Sequence, residues 1–389
     1  MKIKQIQITG IGGIDDLVLT FDEQMNIISG PNGIGKTTIL ESVAHAFSGL
    51  ESNLLKRRVS SECGIVKALM DQGNGKFEEK TYQITEFSPR KTEHTGSNEK
   101  YPKFLISLKI ARTFNYIALD AVSRDVDRDI YSTSSSNKHG VNLGEVKSWF
   151  VNRYLYSAHP GALSDARMHN FYQAKKFFSL LNSDFEFSRV DAGTNEIMVN
   201  TPAGEIYYEY LSSGFKSCLS ILFGILKEIE FRFGEPGFKL DEFNGVILID
   251  ELELHLHPEW QAKISSILSQ AFPSAQFITT THSPHVIQSA MPNQVIALHY
   301  ASGKLERKLL PANEYGYQGW TIEEVLTDVM GLGDTRTDVY QSAIQSFQQA
   351  IDKEDYEAGQ LAFINLEKLL HPENNLRKLL SFQLGAIKG

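Results

Sequence analysis

The chain has 389 residues, of which 42% are hydrophobic and 22% charged, and these are the proportions of a folded, water-soluble protein. Its net charge of −9 has the wrong sign for a protein coated with nucleic acid, although the total does not exclude a local basic track. The length exceeds the usual limit for one hydrophobic core, so we expect one large domain with an appended or inserted piece.

The sequence also argues against membrane insertion and against a disulfide-stabilised fold. No apolar run approaches the length that crosses a bilayer, and residues 1–5 lead into a strand pattern without the apolar core of a signal peptide. We therefore expect a cytoplasmic protein with no membrane partner. The two cysteines, Cys63 and Cys218, lie far apart and form no C-x-x-C pair, which supports neither a disulfide framework nor a zinc hook.

The first 29 residues show the pattern of three strands. Ile6 and Ile8 alternate with polar residues in the first strand, and residues 17–21 continue this alternation in the second. A third, apolar run at residues 25–29 ends at a glycine, as buried strands often do.

A glycine-rich stretch follows directly. Residues 30–38 read Gly-Pro-Asn-Gly-Ile-Gly-Lys-Thr-Thr and fit the pattern G-x-x-x-x-G-K-[ST] between a strand and a helix, which is the context of a phosphate-binding loop. Backbone N–H groups and the positive end of the helix would surround phosphate oxygens. We expect ATP and Mg²⁺ as cofactors, with Lys36 at the β- and γ-phosphates and Thr37 on the metal. The expected nucleotide contacts are Gly30, Asn32, Gly33, Gly35, Lys36, Thr37 and Thr38.

Strand patterns then alternate with polar turns and a helical segment. Strands are predicted at 64–70, 76–86 and 103–112, with a hairpin turn at 71–75, a polar loop at 88–100 and a second hairpin formed by 196–200 and 205–210. The serine-rich run 132–140 is predicted as a loop, and helical patterns follow at 143–156 and 164–181. Neither helix shows sustained heptads, so we expect a compact insertion rather than long coiled-coil arms.

Residues 211–215, Leu-Ser-Ser-Gly-Phe, open a helix that is apolar almost all round and is therefore expected to be buried. The N–H groups of Ser212 and Gly214 at the start of this helix could bind phosphate. Because residues 30–38 already supply one anion site, a second site implies another ligand or an ATP held by another subunit.

Two apolar runs, 246–250 and 276–281, are predicted as central parallel strands, and each is followed by polar residues. Asp250 is expected to hold Mg²⁺ together with the loop threonine, and Glu251 to orient or deprotonate the attacking water. His282 lies just past the second strand, where α/β folds bind ligands, and is expected to contact the γ-phosphate or the water.

The last part of the chain is predicted to be mainly helical. One more strand is predicted at 293–299, and residues 321–324 form a capping box before a short helix. Apolar faces at 339–347 and 361–369 indicate two amphipathic helices, and a final helix is predicted after residue 372. We expect this region to serve packing or partner contact.

These motifs resemble those of the ABC-type ATPases that include RecF, the overcoming-lysogenisation-defect proteins and the arm-bearing chromosome ATPases. Their Walker A, signature, Walker B and switch histidine are similar to residues 30–38, 211–215, 246–251 and His282, in the same order over residues 1–300. More narrowly, the stretches 249–261 and 272–284 resemble the compact prokaryotic members of anti-phage systems, such as the Septu and retron-linked ATPases.

The resemblance implies an α/β fold, that of an ABC-type P-loop ATPase with a mixed sheet, a compact helical insertion and a C-terminal helical appendix. The ATPase domain would comprise residues 1–112 and 183–312, with the insertion at 113–182 and the helical region at 313–389. In this family two subunits enclose two ATP molecules, and each signature faces the partner's Walker A. A homodimer or higher homo-oligomer is therefore expected, with Glu251 and His282 as catalytic residues.

The sequence departs from the family pattern in two places. The signature usually reads L-S-G-G-Q, but Ser213 and Phe215 stand at its third and fifth positions, so that Ser212 and Gly214 carry over. A glutamine loop should lie between residues 50 and 130, and the sequence does not identify its residue.

The expected function is that of an ATP-hydrolysing sensor or regulator in a nucleic-acid-related or anti-phage system, with a nuclease or toxin as a separate effector and DNA as a further candidate partner. One alternative is an ATP-regulated nuclease or repair ATPase acting directly on DNA, but the C-terminal region offers no convincing acidic cluster. A transporter subunit is disfavoured by the long insertion at 51–210. A transition-metal site built from Glu251, Glu253, His255 and His257 is disfavoured because the first of them is needed at ATP.

Overall fold

A computed structural model describes residues 1–388, except 53, 74, 98–100, 113–115, 117, 123, 124, 126, 312, 334 and 335. The chain divides into two compact units, Met1–Gly331 and Leu332–Gly389. The domain limits expected from the sequence, at residues 112, 182 and 312, stay predictions.

The strands of the first unit lie between residues 2 and 307. In chain order they are β1 (Lys2–Ile11), β2 (Ile14–Thr20), β3 (Met25–Ser29), β4 (Gly49–Ser52), β5 (Gly64–Asp71), β6 (Phe77–Ile84), β7 (Glu93–Ser97), β8 (Leu105–Leu108), β9 (Glu186–Val190), β10 (Ile197–Thr201), β11 (Gly204–Tyr207), β12 (Val246–Ile249), β13 (Gln276–Thr280), β14 (Val295–Ala301) and β15 (Lys304–Arg307). The predicted strands are thus present, with β8 shorter than expected, and β4, β7, β9 and β15 lie outside the predicted ranges.

The helices of the first unit include one long central helix and several short ones. They are α1 (Lys36–Ser48), α2 (Ile130–His139), α3 (Val146–Ser157), α4 (Asp165–Leu181), α5 (Ser213–Phe233), α6 (Pro258–Gln261), α7 (Ile264–Ala271), α8 (Pro284–Gln288) and α9 (Ile322–Glu324). Short 3₁₀ turns lie at Pro102–Phe104, Leu143–Glu145, Tyr208–Tyr210, Leu240–Glu242 and Pro292–Gln294, and a π-helical turn spans Val325–Val329. The helices predicted at 143–156 and 164–181 are confirmed by α3 and α4.

The central sheet has the strand order β15-β14-β3-β13-β12-β8. The five strands from β14 to β8 are parallel, and β15 is added antiparallel at one edge. Every residue of β3, β12 and β13 is buried, which explains why these strands read as continuous apolar runs. Their carboxyl ends meet at one edge of the sheet, because Ile249 is level with Thr279 and Thr280 with Ile28.

Three antiparallel sheets complete the first unit, with the orders β2-β1-β5-β6, β11-β10-β9 and β4-β7. The turn between β5 and β6 falls at the predicted position, where Asp71 accepts a hydrogen bond from the N–H of Gly73. Together with the central sheet and its helices, these sheets confirm the predicted α/β fold with a mixed sheet.

Two loops predicted from composition were wrong. The serine-rich run 132–140 lies in α2, which begins where the side chain of Asp129 accepts from the N–H of Ser132 at 2.7 Å. Asn137 of this helix is fully buried and donates to the hydroxyl of Ser48 at 3.0 Å. These tertiary contacts override the weak helix propensity of serine. Part of the polar loop 88–100 forms β7, while residues 98–100 lie outside the described residues.

Helix α5 is the centre of the larger hydrophobic core. It is buried over nearly its whole length, as predicted, and contacts α3, α4 and α7. Phe223 on α5 packs against Phe150 of α3 with ring centroids 5.0 Å apart, and Phe150 also contacts the ring of Phe187 in β9. Neither this helix nor any other in the described part of the chain combines the length and apolarity needed to cross a membrane.

The second unit contains α10 (Asp338–Asp352), α11 (Tyr356–Leu369) and α12 (Asn375–Ala386), which have their own small core. The final helix predicted after residue 372 is confirmed. The predicted apolar faces are only partly buried. The buried members are Tyr340, Phe347, Ala362 and Leu366, whereas Val339, Leu361 and Leu369 are exposed.

A buried ion pair connects α3 with α5. Glu230 is fully buried and accepts hydrogen bonds from Trp149 Nε1 at 2.8 Å and from Arg153 Nε at 2.7 Å. Arg153 is also fully buried and lies 2.6 Å from a carboxylate oxygen of Asp125. Since an ion pair of this kind is costly to break from one side, it constrains how the two helices pack.

We predict that Arg153→Ala lowers the free energy of unfolding by about 3–5 kcal/mol, because Glu230 would be left buried without its cation. Chemical denaturation of the purified protein measures the change. The matched control is Arg189→Ala, which removes an exposed arginine that pairs with Asp191 and Glu205 on the protein surface. Equal, small effects of the two substitutions would contradict the prediction.

Candidate active site

The loop between β3 and α1 has a conformation that depends on glycine. Gly30 has a φ of 150° and Gly35 a φ of 107°, both in the region that favours glycine. A Cβ atom on Gly30 would lie 2.7 Å from the carbonyl oxygen of Leu298 in β14, which leaves no room for a side chain. Gly35 also stands at the N-cap of α1 and supplies no side-chain acceptor to the first turn of the helix. The loop therefore keeps its backbone close to β14 and presents the start of α1.

Lys36 is folded back against this loop. Its side chain is buried, and its Nζ donates to the carbonyl oxygens of Gly30 at 2.8 Å and Pro31 at 3.0 Å. Burial lowers the pKa of Lys36, although the nearby carboxylates of Asp250, Glu253 and Glu251 act in the opposite direction. The loop thus surrounds the ammonium group of Lys36, which lies near these three carboxylates.

Asp250 joins this loop to the central sheet. It follows β12, is almost fully buried, and accepts a hydrogen bond from Thr37 Oγ1 at 3.2 Å through one carboxylate oxygen. Its other oxygen accepts from Thr280 Oγ1 at 2.6 Å. Three elements, α1, β12 and β13, are therefore connected through a single carboxylate. The hydroxyl of Thr37 and the carboxylate of Asp250 are oxygen donors of the kind that Mg²⁺ prefers.

Glu251 is held through its backbone on both sides. Its φ is 51°, a left-handed conformation that is unusual for a non-glycine residue. Its N–H donates to Thr280 Oγ1 at 2.8 Å, and its carbonyl oxygen accepts from Arg112 Nη2 at 2.5 Å. Within the described residues its carboxylate forms neither a hydrogen bond nor an ion pair. Hydrogen bonds therefore fix the backbone of Glu251, while its carboxylate can still accept a hydrogen bond or a proton from a ligand.

His282 lies at the same edge of the sheet, just after β13, and its side chain is exposed. Its backbone N–H donates to Glu253 Oε1 at 2.5 Å, and the other oxygen of Glu253 accepts from Thr281 Oγ1 at 2.7 Å. Glu253, which we considered as a metal ligand, therefore connects the two segments that follow β12 and β13 through these hydrogen bonds. The described residues include no group of three or more His, Cys, Asp or Glu side chains suited to hold a metal.

The Ser212–Gly214 segment belongs to a separate set of contacts. Ser212 is the N-cap of α5 and accepts from the N–H of Phe215 at 3.3 Å. Gly214 packs directly against Trp260 of α6, and a Cβ atom there would lie 2.7 Å from the indole Cδ1. Among the described residues, no hydrogen bond connects Ser212 or Gly214 to residues 30–38. The structure therefore brings together the loop, Asp250, Glu251 and His282, but does not link the signature to them.

Two residues of this site were not found from the sequence. Thr280, which bridges Asp250 and Glu251, lies in a run of three threonines, and only the strand register shows which one faces the site. Arg112 follows β8 in a segment without a recognisable motif. The chain has two glutamines between residues 50 and 130, Gln72 and Gln83, and both lie in or next to the β5–β6 hairpin.

Sequence comparison decides the family. The chain is 41% identical over 396 residues to the Septu protein PtuA of Bacillus thuringiensis, and the match covers 99% of this chain and 98% of that protein. The chain belongs to the Septu PtuA family. Residues 25–288 also match a family described as an AAA domain, putative AbiEii toxin, Type IV TA system. The resemblance to compact Septu-type ATPases predicted from the motifs is therefore confirmed, while the roles of the individual site residues stay predictions.

More distant matches cover parts of the chain. A retron Vc95 probable ATPase of Vibrio cholerae is 31% identical to this Septu PtuA family member over 112 residues, which are 29% of this chain and 22% of that protein. Among solved structures, the SMC head domain from Thermotoga maritima is similar, with a TM-score of 0.46 and 15% identity, over 80% of this chain and all of that one.

We predict that Thr280→Val lowers the free energy of unfolding by about 1–3 kcal/mol, because it leaves one carboxylate oxygen of Asp250 and the N–H of Glu251 without a hydrogen-bond partner. The matched control is Thr279→Val, which removes one longer hydrogen bond, 3.3 Å, to the carbonyl oxygen of Asn26. Both threonines are fully buried, so the two variants differ mainly in the hydrogen bonds lost. Urea denaturation compares them, and an equal effect would argue against the bridging role of Thr280.

Proposed function

We propose that this protein is an ATPase of an anti-phage defence system, which binds ATP with Mg²⁺, closes with a second copy of itself around the nucleotide, and reopens after hydrolysis. The observation that carries the proposal is the hydrogen bond from Thr37 of the glycine-rich loop to Asp250, directly before Glu251. Membership of the Septu PtuA family supports it. Septu protein PtuA and the retron Vc95 probable ATPase are the named relatives on which the defence role rests.

The chemistry of the loop fits a nucleotide with its metal. The left-handed glycines and the uncapped start of α1 offer backbone N–H groups to phosphate oxygens, and Lys36 places a cation in the same loop. Thr37 and Asp250 would hold the metal ion, which supplies positive charge to the phosphates when bound. Gly30, Asn32, Gly33, Gly35 and Thr38 would complete the contacts.

Hydrolysis is assigned to Glu251. The carboxylate follows the metal-binding Asp250 directly and has no partner in the described part of the chain, so it can accept a proton from an attacking water. His282, at the end of the neighbouring strand, is assigned a contact with the γ-phosphate or that water. Glu253 accepts a hydrogen bond from the backbone N–H of His282 and so holds the start of the segment that follows β13.

The second copy is proposed because the N–H groups at the start of α5 could bind phosphate, while no hydrogen bond joins Ser212 or Gly214 to residues 30–38 among the described residues. Ser212 is exposed at the start of α5, a helix of 21 residues. In a symmetric pair the start of α5 in each copy would face the loop of the other. Opening and closing of such a pair would control a separate effector, a nuclease or a toxin.

We predict that Glu251→Gln retains ATP binding but lowers kcat for ATP hydrolysis by about 10²–10⁴-fold, since the general base is lost. The closed dimer should then accumulate with ATP and Mg²⁺, which size-exclusion chromatography with light scattering detects. Glu259→Gln is the matched control, because Glu259 lies on the surface of α6 and pairs with Lys263. Full ATPase activity of Glu251→Gln would refute the assignment.

A mixing experiment tests the composite site. Lys36→Ala is expected to abolish nucleotide binding and Ser212→Arg to block the signature, so each variant alone should lack ATPase activity. In a mixture, heterodimers contain one intact site, and activity should return to at most about a quarter of the wild-type level. Mixing either variant with Lys36→Ala/Ser212→Arg double-mutant protein is the control, because those heterodimers contain no intact site. A mixture that stays inactive although heterodimers are present would exclude this arrangement of the two copies.

A further inference from the structure

We propose that Arg112 is the positioning residue for Glu251, which it holds through the backbone carbonyl oxygen. The inference rests on the proposed ATPase function and names a further residue of that site. Arg112 Nη2 donates to the carbonyl oxygen of Glu251 at 2.5 Å.

The fold explains how Arg112 reaches the site. Strand β8 lies next to β12 in parallel, with Leu108 level with Ile249. The pairing continues for one more step, since the N–H of Asp250 donates to the carbonyl oxygen of Leu108 at 3.0 Å. The segment after β8 therefore leaves the sheet beside the segment after β12, and Arg112 closes the contact between them.

If Arg112 served only to stabilise the fold, its burial would be unfavourable for the free energy of folding. Its side chain is only 4% exposed, and two of its three guanidinium nitrogens, Nε and Nη1, have no hydrogen-bond partner among the described residues. Nor does it form an ion pair within 4.0 Å in that part of the chain, although the carboxylates of Glu253, Asp250 and Glu251 are near. Burial outweighs their attraction and lowers the pKa of Arg112 to about 10. A buried cation held in this way is unfavourable for folding.

The same contact stabilises a strained residue. Glu251 adopts its left-handed conformation between two hydrogen bonds, one from its N–H to Thr280 and one from Arg112 to its carbonyl oxygen. Such backbone conformations persist only where the surroundings fix them. Without Arg112 the carbonyl would be released, and the carboxylate of Glu251 would lose its defined position. The glutamines between residues 50 and 130, Gln72 and Gln83, lie at the β5–β6 hairpin, whereas Arg112 contacts the backbone of Glu251 directly.

The test uses the full chain with Arg112→Met, Arg112→Ala and a matched control, Arg307→Met, whose arginine donates to the carbonyl oxygen of Val295 in β14. For Arg112→Met we expect kcat for ATP hydrolysis to fall roughly 100-fold, as for a misplaced catalytic group. The affinity for a fluorescent ATP analogue and the melting temperature should not fall. Added guanidinium ion at low concentration should restore part of the activity of Arg112→Ala but not of Arg112→Met, where the cavity is filled.

A second readout needs no nucleotide. Hydrogen exchange followed by mass spectrometry should show faster exchange of residues 251–256 in Arg112→Met than in the wild type or in Arg307→Met. Unchanged exchange together with unchanged kcat would overturn the proposal, and so would a parallel loss of ATP affinity, which would make Arg112 a nucleotide ligand. A lowered melting temperature without guanidinium rescue of Arg112→Ala would also overturn it. If the wild type itself lacks ATPase activity, the proposed function fails, while the exchange measurement still decides whether Arg112 fixes Glu251.

Discussion

The carboxylate of Asp250 is the contact on which the rest of the site depends. One of its oxygens accepts from Thr37 at the start of α1 and the other from Thr280 at the end of β13. Because the group is almost fully buried, both oxygens need partners, and the two threonine hydroxyls supply them. The position of the glycine-rich loop relative to the sheet is therefore set by a polar contact as well as by apolar packing.

The parallel sheet makes this arrangement possible. Four neighbouring strands end at one edge, and each contributes a different group to the site. β3 leads into the loop, β12 into Asp250 and Glu251, β13 into His282, and β8 towards Arg112. Ligand sites at the carboxyl ends of parallel strands are a general property of such folds. The buried helix α5 packs in the hydrophobic core on one face of the central sheet, and this packing supports the strands that end at the site.

Local patterns allowed the central part of the site to be predicted from the sequence. Residues 30–38 and the pair Asp250 and Glu251 are contiguous, and each lies next to an apolar run whose length indicates a buried strand. Thr280 and Arg112 could not be predicted in this way, because their roles depend on the register between strands that are distant in sequence. The same holds for the fold, where local patterns predict an element but contacts between distant residues cannot be predicted from them.

Helix α2 illustrates the limit for the fold. Its serine-rich sequence favours a loop, yet Arg232 of α5 donates to Asn137 at 2.9 Å and to Ser136 at 2.7 Å, and these contacts stabilise the helix. Helix propensity is a property of the isolated segment. Arg232, which makes both of these contacts, lies 95 residues after Asn137 and 96 after Ser136 in the chain.

The contact between Gly214 and Trp260 has a mechanical consequence. Trp260 lies in α6, at the end of the segment that starts with Asp250 and Glu251, and its indole ring fills the space that a side chain at position 214 would need. Phe215 adds an edge-to-face contact with the same ring, with centroids 5.7 Å apart. A shift of the segment after β12 cannot leave the first turn of α5 in place without opening a gap or creating a clash at this ring. Trp260 is therefore the packing contact between the segment that follows β12 and the start of α5, two regions that no hydrogen bond joins in the described part of the chain.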